Sequence, residues 1–269
     1  MPTVTGATRL YGIVGDPIAE VRSPSMFNPL IEAAGANAVL VPLQVRAAEF
    51  AETMDGLMRL GNLDGLIVTY PHKQTALALL DEVSERARRV GAVNAMRREA
   101  DGRWTGDIFD GVGFVRAVTA TGRQVAGTDI ALVGAGGAGR AIAFELAAEG
   151  AARLAIDDID AARAERLVAD LSAAHPNCAV RRGGPEPARH HILINATPVG
   201  FSGESELPFG LDGLRPESLV VDIVPRPGSR LLAAAEALGA ATVRGTSMVE
   251  GQARTVLGFF GIGEAGKDQ

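Results

Sequence analysis

Midway along the chain an apolar run, Ile130-Ala131-Leu132-Val133, leads directly into Gly134-Ala135-Gly136-Gly137-Ala138-Gly139, and a segment of helical period follows. Strand, G-x-G-x-x-G and helix in that order restrict this part of the chain to a dinucleotide-binding βαβ unit. Glycines alone serve ordinary turns; the strand before and the helix after give these their meaning. Gly134 permits the tight turn, and Gly136 lets a pyrophosphate approach the backbone. Gly139 lets helix and strand pack closely, and the helix N-terminus faces the phosphates. Ala135, Gly137 and Ala138 complete the loop. The next strand ends in Ala155-Ile156-Asp157-Asp158. An acid about 20 residues past the glycines is placed to accept from the adenosine ribose hydroxyls. A 2′-phosphate would meet like charge at Asp157 and Asp158, and its usual arginine partner is missing at this turn. NAD is therefore favoured, with NADP possible. Asp160 is expected to cap the helix that follows.

Apolar runs of about five residues alternate with longer helical-period segments over the whole chain, the pattern of an α/β protein. In the first part, strands are expected at 11–14, 39–42 and 66–69, and helices at 24–35, 47–60 and 82–90. Ser23 is placed to cap the first helix, with Pro24 in its first turn. Asp101-Gly102 signals a two-residue hairpin between 92–98 and 103–106. A helix over 110–121 then opens a run of regular βαβ units. Their strands fall at 130–133, 153–156, 192–195, 219–223 and 241–244, and their helices at 137–149, 160–172 and 229–238. A last helix covers about 248–260. No linker marks the change of pattern, and the domain boundary is placed near Asp110.

Composition narrows the function classes. The 269 residues carry 26 basic and 32 acidic side chains, a net charge of −6. A nucleic-acid protein concentrates Lys and Arg, so no nucleic-acid partner is expected. One cysteine, Cys178, gives neither a disulfide framework nor a thiolate metal cluster, and fits a reducing cytoplasm. His190-His191 lack companions at ligand spacing, so no metal is expected. No basic, apolar leader opens the chain, and no run approaches the roughly 18 apolar residues of a membrane helix. A cytoplasmic protein without a membrane partner is the expectation, as a monomer or a homodimer.

Of the 26 basic residues, 24 are Arg; the two lysines are Lys73 and Lys267. Lys267 is the third residue from the end, so Lys73 is the exception inside the folded chain. Lysine can lose a proton when its surroundings depress its pKa, and arginine cannot. Lys73 follows Leu66-Ile67-Val68-Thr69-Tyr70-Pro71-His72, where Pro71 breaks a buried strand. That places it at the carboxyl end of a strand, where open α/β sheets bind ligands. Asp110 opens the helix after Gly106-Asp107-Ile108-Phe109. It reads either as an N-cap or, with Lys73, as an acid–base couple for a dehydrogenase.

Together these motifs resemble the shikimate/quinate dehydrogenase family. They are Gly15-Asp16-Pro17-Ile18 with Ser23-Pro24, then Val68-Thr69-x-Pro71-x-Lys73, Gly91-Ala92-Val93-Asn94 and Asp110-Gly111-x-Gly113-Phe114. The glycine loop, Asn195-Ala196-Thr197-Pro198-Val199-Gly200 and Gly245-Thr246-Ser247-Met248 with Gln252-Ala253 follow in the family's order. The resemblance spans about 11–260. It implies an α/β substrate domain over 1–109, completed by the C-terminal helix within 245–269, and a Rossmann-type dinucleotide domain over 110–244, with the active site in the cleft between. It assigns Lys73 and Asp110 as the catalytic pair, and Ser23, Thr69, Asn94 and Gln252 as substrate-binding groups. Asn195, Ala196, Thr197, Val199, Val224 and Met248 fall where the family contacts the dinucleotide, chiefly at the nicotinamide end.

Several positions depart from the family. Of the two hydroxyl residues that usually take the substrate carboxylate only Ser23 remains, the first being Val21. Ile67 replaces an Asn, Ile108-Phe109 an Asn-Thr, and Ala95 a Thr; the late Tyr is Val224 or Pro225. A buried polar group left unpaired costs about 1–3 kcal/mol, so three such losses against a polyhydroxy acid would shift specificity by orders of magnitude. Drift with compensation is one explanation; a less hydroxylated, more apolar cyclic hydroxy acid is the other, and is expected here. The expected activity is hydride transfer between a nicotinamide and the secondary alcohol of such an acid. The alternative is a non-catalytic, dinucleotide- or metabolite-sensing protein on the same fold, which would have no need of Lys73 and Asp110.

Overall fold

A computed structural model describes residues 4–200, 206–224 and 228–263. Two sheets separate the chain into two units, 1–109 with 252–269 and 110–251. Pro225 and Lys267 lie outside the described residues.

The first unit contains β1 (Arg9–Gly15), α1 (Ser23–Ala33), β2 (Ala38–Gln44), α2 (Phe50–Leu57), β3 (Leu63–Val68), β4 (Glu82–Val83), α3 (Glu85–Val90), β5 (Ala95–Arg98) and β6 (Trp104–Asp107). Its sheet runs β2-β1-β3-β5-β6-β4. β1 is parallel to β2 and to β3, whereas β5 runs antiparallel to β3 and to β6. Buried on both faces, β1 reads as a continuous apolar run rather than an alternation. Helix α1 buries Phe27 and Ile31, and Asn28 clamps the backbone of Leu40 from both sides, through its Nδ2 at 3.0 Å and its Oδ1 at 2.8 Å. Trp104 is buried, with its indole N–H donating to the Met58 carbonyl.

Four local expectations change. Ser23 does not cap α1; Arg22 holds that position, its carbonyl accepting from Met26 N, and Ser23 is drawn into the first buried turn. The segment 82–90 is not one helix. Glu82–Val83 pairs with β6, and the Ser84 hydroxyl then caps α3 by accepting from Ala87 N. The span 47–60 likewise divides into a 3-10 turn, Ala47–Glu49, and α2. The hairpin loop has three residues, not two. Glu99 and Arg103 still share a backbone bond, and Gly102 sits in the left-handed region at φ 88°.

The second unit contains α4 (Asp110–Thr119), β7 (Asp129–Val133), α5 (Gly137–Ala148), β8 (Arg153–Asp157), α6 (Ala161–Ala174), β9 (Ala179–Arg182), β10 (Ile192–Asn195), β11 (Leu219–Asp222), α7 (Arg230–Ala237) and β12 (Ala241–Arg244). All six strands are parallel, in the order β12-β11-β10-β7-β8-β9. This is a doubly wound Rossmann-type sheet whose order reverses beside β7. Strand β9, absent from the sequence reading, is an edge strand with little apolar patterning. Asp160 caps α6, as expected, by accepting from Ala162 N and Arg163 N. Helix α8 (Gly245–Phe259) starts three residues before its expected first turn, and the unit boundary falls inside it. Among the described residues no helix is long and apolar enough to cross a membrane.

Candidate active site

In the first unit, the carboxyl ends of β1, β2 and β3 are stitched together by backbone hydrogen bonds. Thr69 N donates to Val14 O at 2.9 Å, Asp16 N to Tyr70 O at 3.0 Å, and Val45 N to Gly15 O at 3.2 Å. Gly15 must be glycine because a Cβ there would meet the Thr69 methyl and the Tyr70 carbonyl. His72 is a buried anchor. It is 1 % exposed, its Nε2 lies 2.7 Å from Val45 O, and its ring stacks on Phe50 at 4.1 Å. Lys73 follows it, half-buried, with its carbonyl accepting from Val93 N at 2.9 Å. The lysine backbone is thus fixed on both sides.

Asn94 and Gln252 meet across 158 positions of chain. Asn94 Nδ2 donates to Gln252 Oε1 at 2.8 Å, and Asn94 Oδ1 accepts from Phe109 N at 2.8 Å. Both side chains are buried. Ser23 is buried at the start of α1, and Thr69 is half-buried at the end of β3. Asp16 Oδ1 accepts from Gln44 Nε2 at 2.9 Å.

Ile67 and Ala95, two of the apolar departures, are buried in the sheet of the first unit. Register places Ile67 opposite Ala95, and Ala95 opposite Asp107. Ile108 and Phe109 are also buried, with the Phe109 ring 5.4 Å from that of Phe259 and the Arg86 guanidinium 5.0 Å over its face.

In the second unit, the glycine loop leaves β7 at the reversal of strand order. Gly134 has φ 105°, and a Cβ on it would strike the Ala196 carbonyl at 2.5 Å. A Cβ on Gly139 would strike the Gly134 carbonyl. Gly136 differs: nothing lies within 4 Å of its Cβ position, so a side chain there would fill an open cradle at the start of α5. No side chain caps α5, which leaves its first-turn N–H groups to a ligand. These residues fit a dinucleotide pyrophosphate.

Asp157 and Asp158 have different surroundings. Asp157 is half-buried, its Oδ2 3.5 Å from the Cβ position of Gly184, and its backbone carbonyl accepts from Gly134 N. Asp158 Oδ2 accepts from Ala135 N at 2.7 Å and Oδ1 from Asp160 N at 2.8 Å. One carboxylate therefore braces the glycine loop. An arginine is present at this turn after all: Arg163, from the first turn of α6, lies 3.8 Å from Asp158. The β8-α6 turn brings it back, a placement that distance along the sequence conceals.

Asn195 ends β10, fully buried, and its Oδ1 accepts from Thr197 N and Oγ1. Val199 N in turn donates to Thr197 Oγ1 at 3.1 Å. Ala196 lies against Gly134 and Gly139; Val224 and Met248 are buried. Asp110 is the first residue of α4 and 2 % exposed. His190 and His191 each use Nδ1 to accept a backbone N–H, from Glu186 and Asp129.

The family profile described as "Shikimate dehydrogenase substrate binding domain" matches residues 13–96. Over 268 residues the chain is 38% identical to a shikimate dehydrogenase (NADP(+)) of Rhodospirillum rubrum, covering 96% of this chain and 94% of that protein. The chain belongs to the shikimate/quinate dehydrogenase family. It is an NAD(P)-dependent oxidoreductase acting on a CH–OH donor. A solved shikimate 5-dehydrogenase of Listeria monocytogenes, in complex with shikimate and NAD, matches with a TM-score of 0.86 and 32% identity over 97% of this chain and 94% of that one. A 5-ketofructose reductase of Gluconobacter sp. matches with a TM-score of 0.83 and 31% identity over 94% and 92% of the two chains.

Proposed function

We propose that this dehydrogenase favours NAD and oxidises or reduces a small cyclic hydroxy acid less hydroxylated than shikimate. Residues 1–109 with the C-terminal helix serve as the substrate domain, and 110–251 as the dinucleotide domain. The single observation that carries the dehydrogenase chemistry is the placement of Lys73, the one lysine among the described residues, directly after the buried His72 anchor beyond the end of β3.

In oxidation, Lys73 Nζ accepts the substrate hydroxyl proton as the carbonyl forms, and it returns that proton in reduction. Asp110 is the second member of the proposed catalytic pair. When bound, the nicotinamide supplies the acceptor or donor of the hydride at the substrate carbon. Gln252 Nε2 and the Thr69 and Ser23 hydroxyls hold the substrate's oxygens, with Asn94 fixing the Gln252 amide. Lys73→Ala is expected to lower turnover by about 10²–10⁴-fold while dinucleotide affinity stays within twofold. Unchanged turnover removes Lys73 from the chemistry.

The preference for NAD rests on Asp158, whose carboxylate is held beside the loop by two backbone N–H groups. A 2′-phosphate there would meet its charge, with Arg163 as partial compensation. Absorbance assays with NAD and NADP should give the higher kcat/KM with NAD; the reverse order sinks this preference.

The less polar substrate rests on Val21, which is half-buried, and more weakly on Ile67, which is buried. Ala95, Ile108 and Phe109 are packed inside the first unit, so their change from polar residues is compensated there. A second reading is a neutral polyol or ketose without a carboxylate. Val21 in place of a hydroxyl, exposed Glu20 close in sequence to Ser23, and the match to 5-ketofructose reductase favour it. Shikimate, quinate, a monohydroxylated cyclohexene carboxylate and 5-ketofructose, assayed with both dinucleotides, separate the two readings.

A further inference from the structure

Parallel register sets Asn195 of β10 beside Asp222 of β11, at the carboxyl ends of both strands. Asp222 is 3 % exposed, and its carboxylate accepts three hydrogen bonds. Oδ1 takes Asn195 Nδ2 at 2.9 Å and Val224 N at 3.2 Å; Oδ2 takes the Ser229 hydroxyl at 2.6 Å. Ser229 in turn caps α7 by accepting from Leu232 N. A carboxylate buried here is not needed to hold β10, β11 and α7 together. Leu193, Val220, Leu231, Leu232 and Ala235 already form one apolar cluster among them. A buried acid with only donors around it instead imposes direction on its neighbours.

That direction falls on the Asn195 amide. With Asp222 accepting, Asn195 must turn its NH2 toward the acid, where it also reaches Val199 O at 3.2 Å. Its carbonyl then faces Thr197, whose N–H and hydroxyl both donate to it, and the Thr197 hydroxyl accepts from Val199 N. Reversing the amide would set NH2 against two donors.

We propose that Asp222 is a positioning residue for the nicotinamide end of the site. It locks the Asn195 amide in one orientation, and thereby the turn 195–199 in the form that receives the nicotinamide. The proposal rests on the dinucleotide reading of residues 110–251 given above. Asp222→Asn leaves one acceptor oxygen where there were two and opposes an NH2 to donors, while the glycine loop and Asp158 are untouched.

The test compares ADP-ribose, which lacks nicotinamide, with NADH and NADPH, by calorimetry and by nucleotide fluorescence. In Asp222→Asn, ADP-ribose affinity should stay within twofold of the wild type. The preferred reduced dinucleotide should bind at least fivefold more weakly and lose its emission change. Unchanged dinucleotide affinity, or parallel weakening of ADP-ribose and dinucleotide, overturns the proposal. Should Asp222→Asn fail to fold, Thr197→Val, which removes the hydroxyl bridge of the same turn, is judged by the same criterion. If the wild type binds neither ADP-ribose nor either dinucleotide, the dinucleotide reading itself falls, a result distinct from failure of the variant alone.

Discussion

Asp158 shows how one side chain carries two tasks. Its carboxylate supplies the acceptor for Ala135 N–H under the glycine loop, and the proposed reading gives the same group to the adenosine ribose. Asp158→Arg should therefore shift the ratio of kcat/KM toward NADP, yet weaken both dinucleotides, because the loop loses its brace. Steady-state kinetics with both cofactors check this; a shift with no loss of NADP affinity relative to ADP-ribose would show the brace to be dispensable. Lys73 and Asp158 stand out locally as candidates in the sequence, one as a rare residue type after a strand-breaking proline, the other by distance from the glycines. Arg163, His72 and Asp222 are not legible. Their partners Asp158, Val45 and Asn195 are brought to them by turn geometry and strand register, which a linear pattern does not encode.

Helix α3 depends on its cap. It is six residues long, too short to persist on propensity alone. Ser84 Oγ accepts from Ala87 N and donates to Asp107, which also holds Arg86 and the Ile108 N–H. Ser84→Ala should cost about 1–2 kcal/mol, toward the upper end for a cap, and urea midpoints measure it. The β7-α5-β8 unit is readable from sequence because the glycine fingerprint and the apolar periods agree. The segment 82–90 is not, since β4 is two residues long and its pairing with β6 is a tertiary choice. The edge strand β9 is obscured for a related reason: exposed on most of its length, it needs no apolar alternation. The first turn of α8 is hidden by Gly245-Thr246-Ser247, residues of low helix propensity that the helix nonetheless includes.

At the scale of the chain, the first unit is closed by a segment from the far end of the sequence. Phe260 rests 4.9 Å from Tyr11 of β1, and Arg97 donates to the Phe259 carbonyl. Burial pushes the Tyr11 hydroxyl up to about 12 from its ordinary 10. Between pH 10 and about 12 the unfolded chain gives up this proton and the folded one keeps it, so stability falls as pH rises through that window. Thermal midpoints of the wild type and Tyr11→Phe should diverge above pH 10, the variant losing less; parallel curves would place the alkaline limb elsewhere. The buried indole of Trp104 has a consequence of its own. It is the only tryptophan in the chain and sits in the first unit. Its emission reports melting of that unit alone, whereas far-ultraviolet dichroism sums the helices of both. Coincident transitions by the two signals would mean the units unfold as one cooperative body, and a gap between them would measure the independence of the dinucleotide half.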